Sequence, residues 1–350
     1  MIIIINFNLW ETMKKDISIK SKIFAHVEIW RPYTVIWCGL VSLVGASLTL
    51  GFFPPFKIAL LATITPIIGW IAALYACDFF DKKLDSIQKP HRPLPSGRVK
   101  PIEMVLFATI LAIIGSYLAF LLGVYNLLLS GLVAISVIFY TKFLKSNGIF
   151  GHLNRGFITW MAFLFGAIAV NKTIPPYVFL ISLVFPIHDT TSNILGAIRD
   201  IDGDRKGGYI TIPVKYGTKN SVYISLTMTA IWSSFAILLP LYFNLVSSIY
   251  FLILTPGLLL IIIMYIYVFK NFNTLSREQA LIAHEIFAIE RIMLASAFIF
   301  GVSDFLLAIF ILIISMGLTV SFQYPMRKRY EFGQEENAKV IIVTKHIFNR

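Results

Sequence analysis

The sequence predicts an all-α, polytopic membrane bundle of about nine transmembrane helices, and three observations support that class. Of 350 residues, 57% are hydrophobic and 14% charged, where soluble domains average roughly 45–50% and about 25%. Mean hydropathy is +0.79. The charges collect in short segments between apolar runs of about 20 residues, the length that crosses a ~30 Å hydrocarbon core. Length alone would allow two or three soluble domains, but these runs argue for one bundle.

The expected organisation is a cytoplasmic N-terminal segment (1–33), a transmembrane domain (34–318) and a polar C-terminal tail (319–350). The opening Met1–Ile5 run is broken by Glu11, Asp16 and the lysines after it, too early for a span, and no small-residue cleavage site marks a signal peptide. Spans are expected at 34–53, 57–77, 102–122, 125–143, 156–171, 176–196, 221–243, 248–270 and 290–318. Connections after the first, third, fifth and seventh are short, with little charge beyond Lys57 and Lys172. The others are long, polar and basic: Lys82, Lys83, Lys89, Arg92, Arg98 and Lys100 follow the second span, and Arg199, Arg205, Lys206, Lys215 and Lys219 the sixth. With Lys14, Lys15, Lys20, Lys22 and Arg31 before the first span, this bias places the N-terminus and the long loops in the cytoplasm.

An odd number of spans sends the tail, with Arg327, Lys328 and Arg329, to the opposite side, against the same bias. Either that is tolerated or the last segment is re-entrant or interfacial; from Gln323 the chain reads as a loosely attached extension. The net charge of +12 is thus topological, and no aromatic-interleaved basic face suggests nucleic acid. Cys38 and Cys77, in or at the ends of apolar segments, indicate no disulfide framework.

Chemistry concentrates at two span ends. After the second span the chain reads Cys77-Asp78-Phe79-Phe80-Asp81-Lys82-Lys83-Leu84-Asp85, and a helix puts Asp78, Asp81 and Asp85 on one face. Like charges so spaced repel unless a cation neutralises them. After the sixth span it reads Arg199-Asp200-Ile201-Asp202-Gly203-Asp204-Arg205-Lys206. Asp81 to Asp200 and Asp85 to Asp204 share an offset of 119 residues, and a basic Pro- and Gly-containing stretch follows each cluster. The pattern reads as a weak repeat of one helix–loop–helix unit. Mg²⁺ takes one or two carboxylates plus substrate phosphates, and Lys or Arg neutralises the remaining phosphate charge. The five carboxylates Asp78, Asp81, Asp85, Asp200 and Asp204 are therefore the candidate Mg²⁺ ligands and catalytic groups. Arg31, Arg92, Lys142, Lys145, Arg199, Arg205 and Lys206 are candidate diphosphate-binding cations. An EF-hand reading of Asp200–Asp204 fails for want of a Glu at the twelfth loop position.

Over nearly its whole length the chain resembles the UbiA-type intramembrane prenyltransferase superfamily. Arg31-Pro32-Tyr33-Thr34 looks like that family's opening. Asp78 to Asp85 with His91-Arg92-Pro93-Leu94-Pro95-Ser96-Gly97 is similar to its first aspartate motif and following loop. Arg199 to Arg205 with Thr211-Ile212-Pro213 is similar to its second. Tyr140 and the Leu144-Lys145 pair resemble its diphosphate-contacting tyrosine and lysine; Tyr140 would otherwise read as a plain interfacial aromatic. The resemblance implies helices around a central cavity open sideways to lipid, and a Mg²⁺-dependent enzyme. Such an enzyme ionises a polyprenyl diphosphate donor and passes the prenyl group to a lipophilic or aromatic acceptor. Two positions depart from the family pattern: Cys77 stands where an Asn is usual, and Ala197 where an Asp or Asn is usual. Thiol is a poor Mg²⁺ ligand, and Asn193 lies one turn before Ala197 on the same face.

Inside the sixth span, His188, Asp189 and Asn193 are candidates for an acceptor or cavity role, since intramembrane ionisable groups usually face the bundle interior; packing-level hydrogen bonding is the alternative. Asp304 in the last span reads as partnered locally by Ser303. His284, Glu285, Glu290 and Arg291 read as helix-surface or interfacial residues, and His91 as a loop contact. Two other functions compete with prenyl transfer. A terpene cyclase would ionise the same donor without an acceptor. A lipid transporter would carry inverted repeats and broken midplane helices, whereas this repeat is parallel and its carboxylates lie at the surface.

Overall fold

The computed structural model describes residues 19–327 and 329–333. Lys14, Lys15 and Lys328 lie outside the described residues, as does the tail beyond Gly333. In chain order the helices are α1 (Ile19–Trp30), α2 (Pro32–Leu50), α3 (Phe56–Phe80), α4 (Lys82–Gln88), α5 (Pro101–Leu122) and α6 (Val124–Phe139), the last continued by a π turn at Tyr140–Leu144. There follow α7 (Ile149–Val170), α8 (Pro176–Ser182), α9 (Val184–Ala197), α10 (Ile201–Lys206), α11 (Ile212–Tyr242), α12 (Ile249–Lys270), α13 (Arg277–Val302) and α14 (Phe305–Phe322). Two short strands, β1 (Asn147–Gly148) and β2 (Ile210–Thr211), pair in parallel. They tie the loop after α6 to the loop after α10.

Among the described residues nine helical segments are long and apolar enough to cross a membrane, and the chain is a multi-pass integral membrane protein. Their burial separates centre from rim. The central span, Pro32–Leu50, is 78% buried, whereas Pro101–Leu122 is 11% buried yet more apolar. Lipid rewards continuous apolar surface, while a helix packed on all sides needs small residues so that backbones can approach. Gly45 on α2 and Gly166 on α7 meet that need. A Cβ on Gly166 would stand 1.7 Å from the Ser42 carbonyl oxygen, and one on Gly45 2.1 Å from that of Phe163.

The last expected span, 290–318, is divided between two helices. Ser303 and Asp304 separate α13 from α14, and the Asp304 carboxylate accepts from the backbone N–H groups of Leu306 and Leu307 at 2.9 and 3.2 Å. Asp304 is thus a helix cap at a hairpin, not a mid-span acid. The 26 residues of α13 measure about 39 Å at 1.5 Å rise. His284 near its start packs on Gly196, and Gly301 near its end accepts from the Ser247 backbone N–H at the far side of the bundle. Helix α14 returns, so residues 323–333 arrive at the end where α1 and the aspartate motifs lie. The expectation of a loosely attached extension from Gln323 is corrected for its described residues: Tyr330, Glu331 and Arg327 are buried.

Candidate functional site

Helix α3 ends at Phe80 and Asp81 joins it to α4, but the Asp85 N–H still bonds the Asp81 carbonyl at 2.8 Å. The helical spacing therefore survives the junction, and Asp78, Asp81 and Asp85 all line one cavity of about 240 Å³. Asp200 and Asp204 line its opposite wall. A close approach sets the second motif: a Cβ on Gly203 would stand 2.4 Å from the Gln88 side chain. Gln88 Nε2 donates to Asp204 Oδ1 at 3.2 Å, and Thr211 Oγ1 donates to its other oxygen at 3.3 Å.

Each remaining carboxylate has a cation of its own. Arg31 pairs with Asp78. Lys145 Nζ lies 2.5 Å from Asp81 Oδ2, and Arg92 Nη1 lies 2.9 Å from both Asp85 oxygens. Arg199 and Lys89 hold Asp200 at 2.9 and 3.0 Å. Burial opposes charge on Lys145, but neighbouring Asp81 overrides it and holds the ammonium above the usual lysine range. Burial, then the Arg92 guanidinium, pushes Lys89 down, against the pull of Asp200 and Glu331. Arg31 itself has φ 46° and ψ 65°. This left-handed conformation immediately before Pro32 is costly for a non-glycine residue and aims the guanidinium at Asp78.

Residues 329–333 complete the cluster. The Tyr330 hydroxyl donates to Asp78 Oδ2 at 2.9 Å and also contacts Arg31. Its ring lies between two guanidinium carbons, Arg31 at 4.4 Å and Arg92 at 4.1 Å from the centroid. The Glu331 carboxylate reaches Lys89 at 2.7 Å, Arg199 at 3.4 Å and Arg92 at 3.6 Å.

Of the cations expected for diphosphate, Arg31, Arg92, Lys145 and Arg199 line this cavity, as does Tyr140. The structure does not bring Lys142, Arg205 or Lys206 to it. All three are exposed; Lys142 sits over the Phe80 ring, and Arg205 and Lys206 border a separate groove. The short α10 turns their side chains outward while holding Asp204 inward. Asn193 lines the cavity and its Oδ1 lies 2.6 Å from His152 Nδ1. His188 does not reach it: the ring is fully buried, 2.6 Å from the fully buried Glu290 and packed against Trp37, Trp232 and Phe287. Asp189 is buried 3.7 Å from Arg155 Nε. The expectation of surface roles for His284, Glu285, Glu290 and Arg291 is also corrected. His284 and Arg291 line the cavity, Glu290 is in the core, and Arg327 sits 4.0 Å from Glu285. His91 donates to the Tyr330 carbonyl at 3.0 Å, a loop contact as expected.

Sequence reasoning missed Lys89, Arg155, Arg291, Tyr330 and Glu331 as members of the site. Arg155 stacks on Trp70 at 4.6 Å, and Arg291 lies 5.6 Å from the Trp37 centroid while donating to the Tyr33 carbonyl at 3.3 Å. The buried Arg155 Nε, Arg291 Nε and His152 Nε2 have no hydrogen-bond partner. Cys77 and Ala197 also face the cavity.

A model of the UbiA prenyltransferase family matches residues 35–289. The digeranylgeranylglyceryl phosphate synthase of Natronomonas pharaonis is 27% identical over 234 residues, covering 66% of this chain and 83% of that one. The synthase of the same name from Methanobrevibacter smithii is 31% identical over 225 residues, covering 62% and 78%. A solved structure concerning digeranylgeranylglyceryl phosphate synthase superposes with a TM-score of 0.61 at 26% identity, covering 80% of this chain and 98% of that one. A UbiA homolog from Archaeoglobus fulgidus bound to GPP and Mg²⁺ shares the fold, with a TM-score of 0.58 at 17% identity over 79% of this chain and 99% of that one.

Proposed function

Because the chain belongs to the UbiA prenyltransferase family, and so is an enzyme of prenyl transfer, we propose that it joins a prenyl group from an allylic polyprenyl diphosphate to a glyceryl phosphate lipid at the cytoplasmic face. The observation that carries this reading is one cavity faced by five carboxylates from two motifs, with Arg31, Lys89, Arg92, Lys145 and Arg199 among them. The basic loops around it support that orientation.

The residues fit Mg²⁺. Asp81 Oδ1 is buried without a partner, and Asp204 is held only by the neutral donors Gln88 and Thr211. Among the described residues no three His, Cys, Asp or Glu side chains gather tightly enough to hold a metal alone, which suits an ion that completes its shell with phosphate oxygens. Asp81 and Asp204 would each offer an oxygen that no cation holds, with Asp78, Asp85 and Asp200 beside them and the donor's phosphate oxygens completing the shell; the Archaeoglobus fulgidus homolog is bound to GPP and Mg²⁺. When bound, Mg²⁺ stabilises negative charge on the departing diphosphate.

Lys145, Arg92 and Arg199 share that task, and Tyr140 lies beside Lys145 to orient the leaving group. The C1–O bond of the donor breaks and its electron pair leaves with diphosphate. The prenyl chain extends past Trp70 into an adjoining apolar recess lined by Pro66, Val133, Val137, Ile158 and Phe165. That lining keeps water from the allylic cation until the acceptor hydroxyl oxygen bonds to C1 and its proton passes to the released diphosphate.

The acceptor follows from charge. Arg155 and Arg291 face the cavity with Asp189 as their shared carboxylate neighbour, so one positive charge and two unmade N–H bonds remain. A lipid phosphate satisfies both, and the two synthases named above make digeranylgeranylglyceryl phosphate. The test is a reconstituted protein given Mg²⁺, geranylgeranyl diphosphate and either geranylgeranylglyceryl phosphate or 4-hydroxybenzoate, with product mass and diphosphate release recorded. We expect the doubly prenylated glyceryl phosphate, lost with EDTA and in Asp81→Ala and Asp204→Ala. Product from the hydroxybenzoate alone would overturn the acceptor; no diphosphate release with either would overturn the whole reading.

A further inference from the structure

We propose that residues 323–333 form an internal plug, with Glu331 occupying as an anion the place that the donor's diphosphate takes, so that donor binds only once this segment has withdrawn. The inference rests on the reading of Lys89, Arg92 and Arg199 as part of the donor site.

Three observations carry it. Among the described residues Glu331 is the one carboxylate in the cluster that touches three cations, Lys89, Arg92 and Arg199, and each of those already has an aspartate partner in the motifs. A diphosphate cannot take the same three cations with the carboxylate in place, because like charges at that range repel strongly in a buried site. Second, the cavity of about 240 Å³ counts Glu331 and Arg327 among its walls, and it falls below the roughly 300–1,000 Å³ usual for ligand sites. With Tyr330 wedged between Arg31 and Arg92, the segment fills the volume that a headgroup needs.

Third, the segment is attached so that it can leave. Helix α14 gives way to a π turn at Gln323–Arg327, a local break in helix register common at functional sites. From Arg327 onward the segment makes polar contacts: Arg327 to His284 at 2.6 Å, Arg329 to Glu28 at 2.5 Å, and Arg277 to the Glu331 carbonyl at 3.0 Å. Polar groups withdrawn together into water find new partners there, whereas the apolar α14 stays in the bundle. The segment also lies beyond the family-matched residues 35–289.

A protein whose site is shut about nine parts in ten shows its ligand a Kd about tenfold weaker than the open site would. The experiment compares full-length wild type, Glu331→Gln and Glu331→Asp in nanodiscs. Binding of inorganic diphosphate with Mg²⁺ is measured by calorimetry, and trypsin cleavage after Arg327 and Arg329 by mass spectrometry. Glu331→Gln leaves every motif ion pair intact, so the fold should hold. We expect it to bind diphosphate about tenfold tighter, Glu331→Asp to stay near wild type, and diphosphate to speed cleavage of the wild-type segment. Weaker binding in Glu331→Gln would overturn the plug and make Glu331 a ligand-binding group. Diphosphate that protects the segment would overturn it in favour of a lid. Transfer activity with unchanged affinities would sink the plug alone, while no diphosphate binding by any variant would sink the donor-site reading with it.

Discussion

The His188–Glu290 pair gives the sharpest separation between a structural and a chemical role. Both side chains are fully buried, 2.6 Å apart, in helices α9 and α13, and neither lines the cavity. Changing His188 to Ala strands Glu290, whose second oxygen already lacks a partner, and removes the ring that Trp37, Trp232 and Phe287 pack against. Stranding a buried polar partner costs about 1–3 kcal/mol, rising to about 3–5 if the group is charged. The lost packing adds about 1–2 kcal/mol. His188→Ala should therefore lose roughly 2–5 kcal/mol with Glu290 neutral and about 4–7 with it charged, enough to lower the thermal midpoint of the detergent-solubilised protein by many degrees. The double variant His188→Leu/Glu290→Met should recover most of that loss, because apolar replacement of a buried pair is often neutral or better. In both, the KM for acceptor should stay within about twofold where the protein remains folded, since neither side chain lines the cavity. A fully stable His188→Ala protein with a raised acceptor KM would refute this reasoning and restore His188 to the acceptor site.

Three further outcomes follow from the same geometry. Lys145→Met removes the cation 2.5 Å from Asp81; loss of one such charge stabiliser should lower kcat/KM by about 10²-fold, with partial recovery in Lys145→Arg, as read from initial rates. Neutralising the exposed Lys142, Arg205 and Lys206 together should leave kcat/KM within about fivefold, the scale of surface charge effects; a hundredfold loss would return them to the site. Gly166→Leu places a side chain where even a Cβ would meet the Ser42 carbonyl at 1.7 Å, so it should cost about 3 kcal/mol or more and show as loss of monodisperse protein in size-exclusion chromatography.

The aspartate motifs were legible because helical spacing is local. Asp78, Asp81 and Asp85 share a face whatever the rest of the chain does, and two clusters at span ends on one side must meet in a bundle. The apolar spans were legible for the same reason. Helix α13 was not, because Glu285, Glu290 and Arg291 interrupt its hydropathy, and their partners lie far away in sequence: His188 is 102 residues from Glu290, and Tyr33 is 258 from Arg291. Without that helix the side of the tail stayed open between two readings. Tyr330 and Glu331 fell in the tail read as a loosely attached extension, although Tyr330 bonds an aspartate 252 positions away. Such a pair leaves no periodicity to read. Lys89 looked like one more topological lysine because only the fold shows it buried between Asp200 and Glu331.

The hairpin of α13 and α14 also constrains how the protein is made. Ionised side chains near the middle of an isolated helix oppose insertion by about 2.5–3.5 kcal/mol each on translocon scales, so α13 enters lipid poorly by itself. Its Glu290 and Arg291 become tolerable beside His188 of α9 and the Tyr33 carbonyl of α2, and both of those helices leave the ribosome first. The strongly apolar α14 emerges directly afterwards and supplies the hydrophobic drive that α13 lacks. Biogenesis thus ends with a charged helix drawn into a bundle that already holds its partners, and only after that step does the active end acquire its last wall.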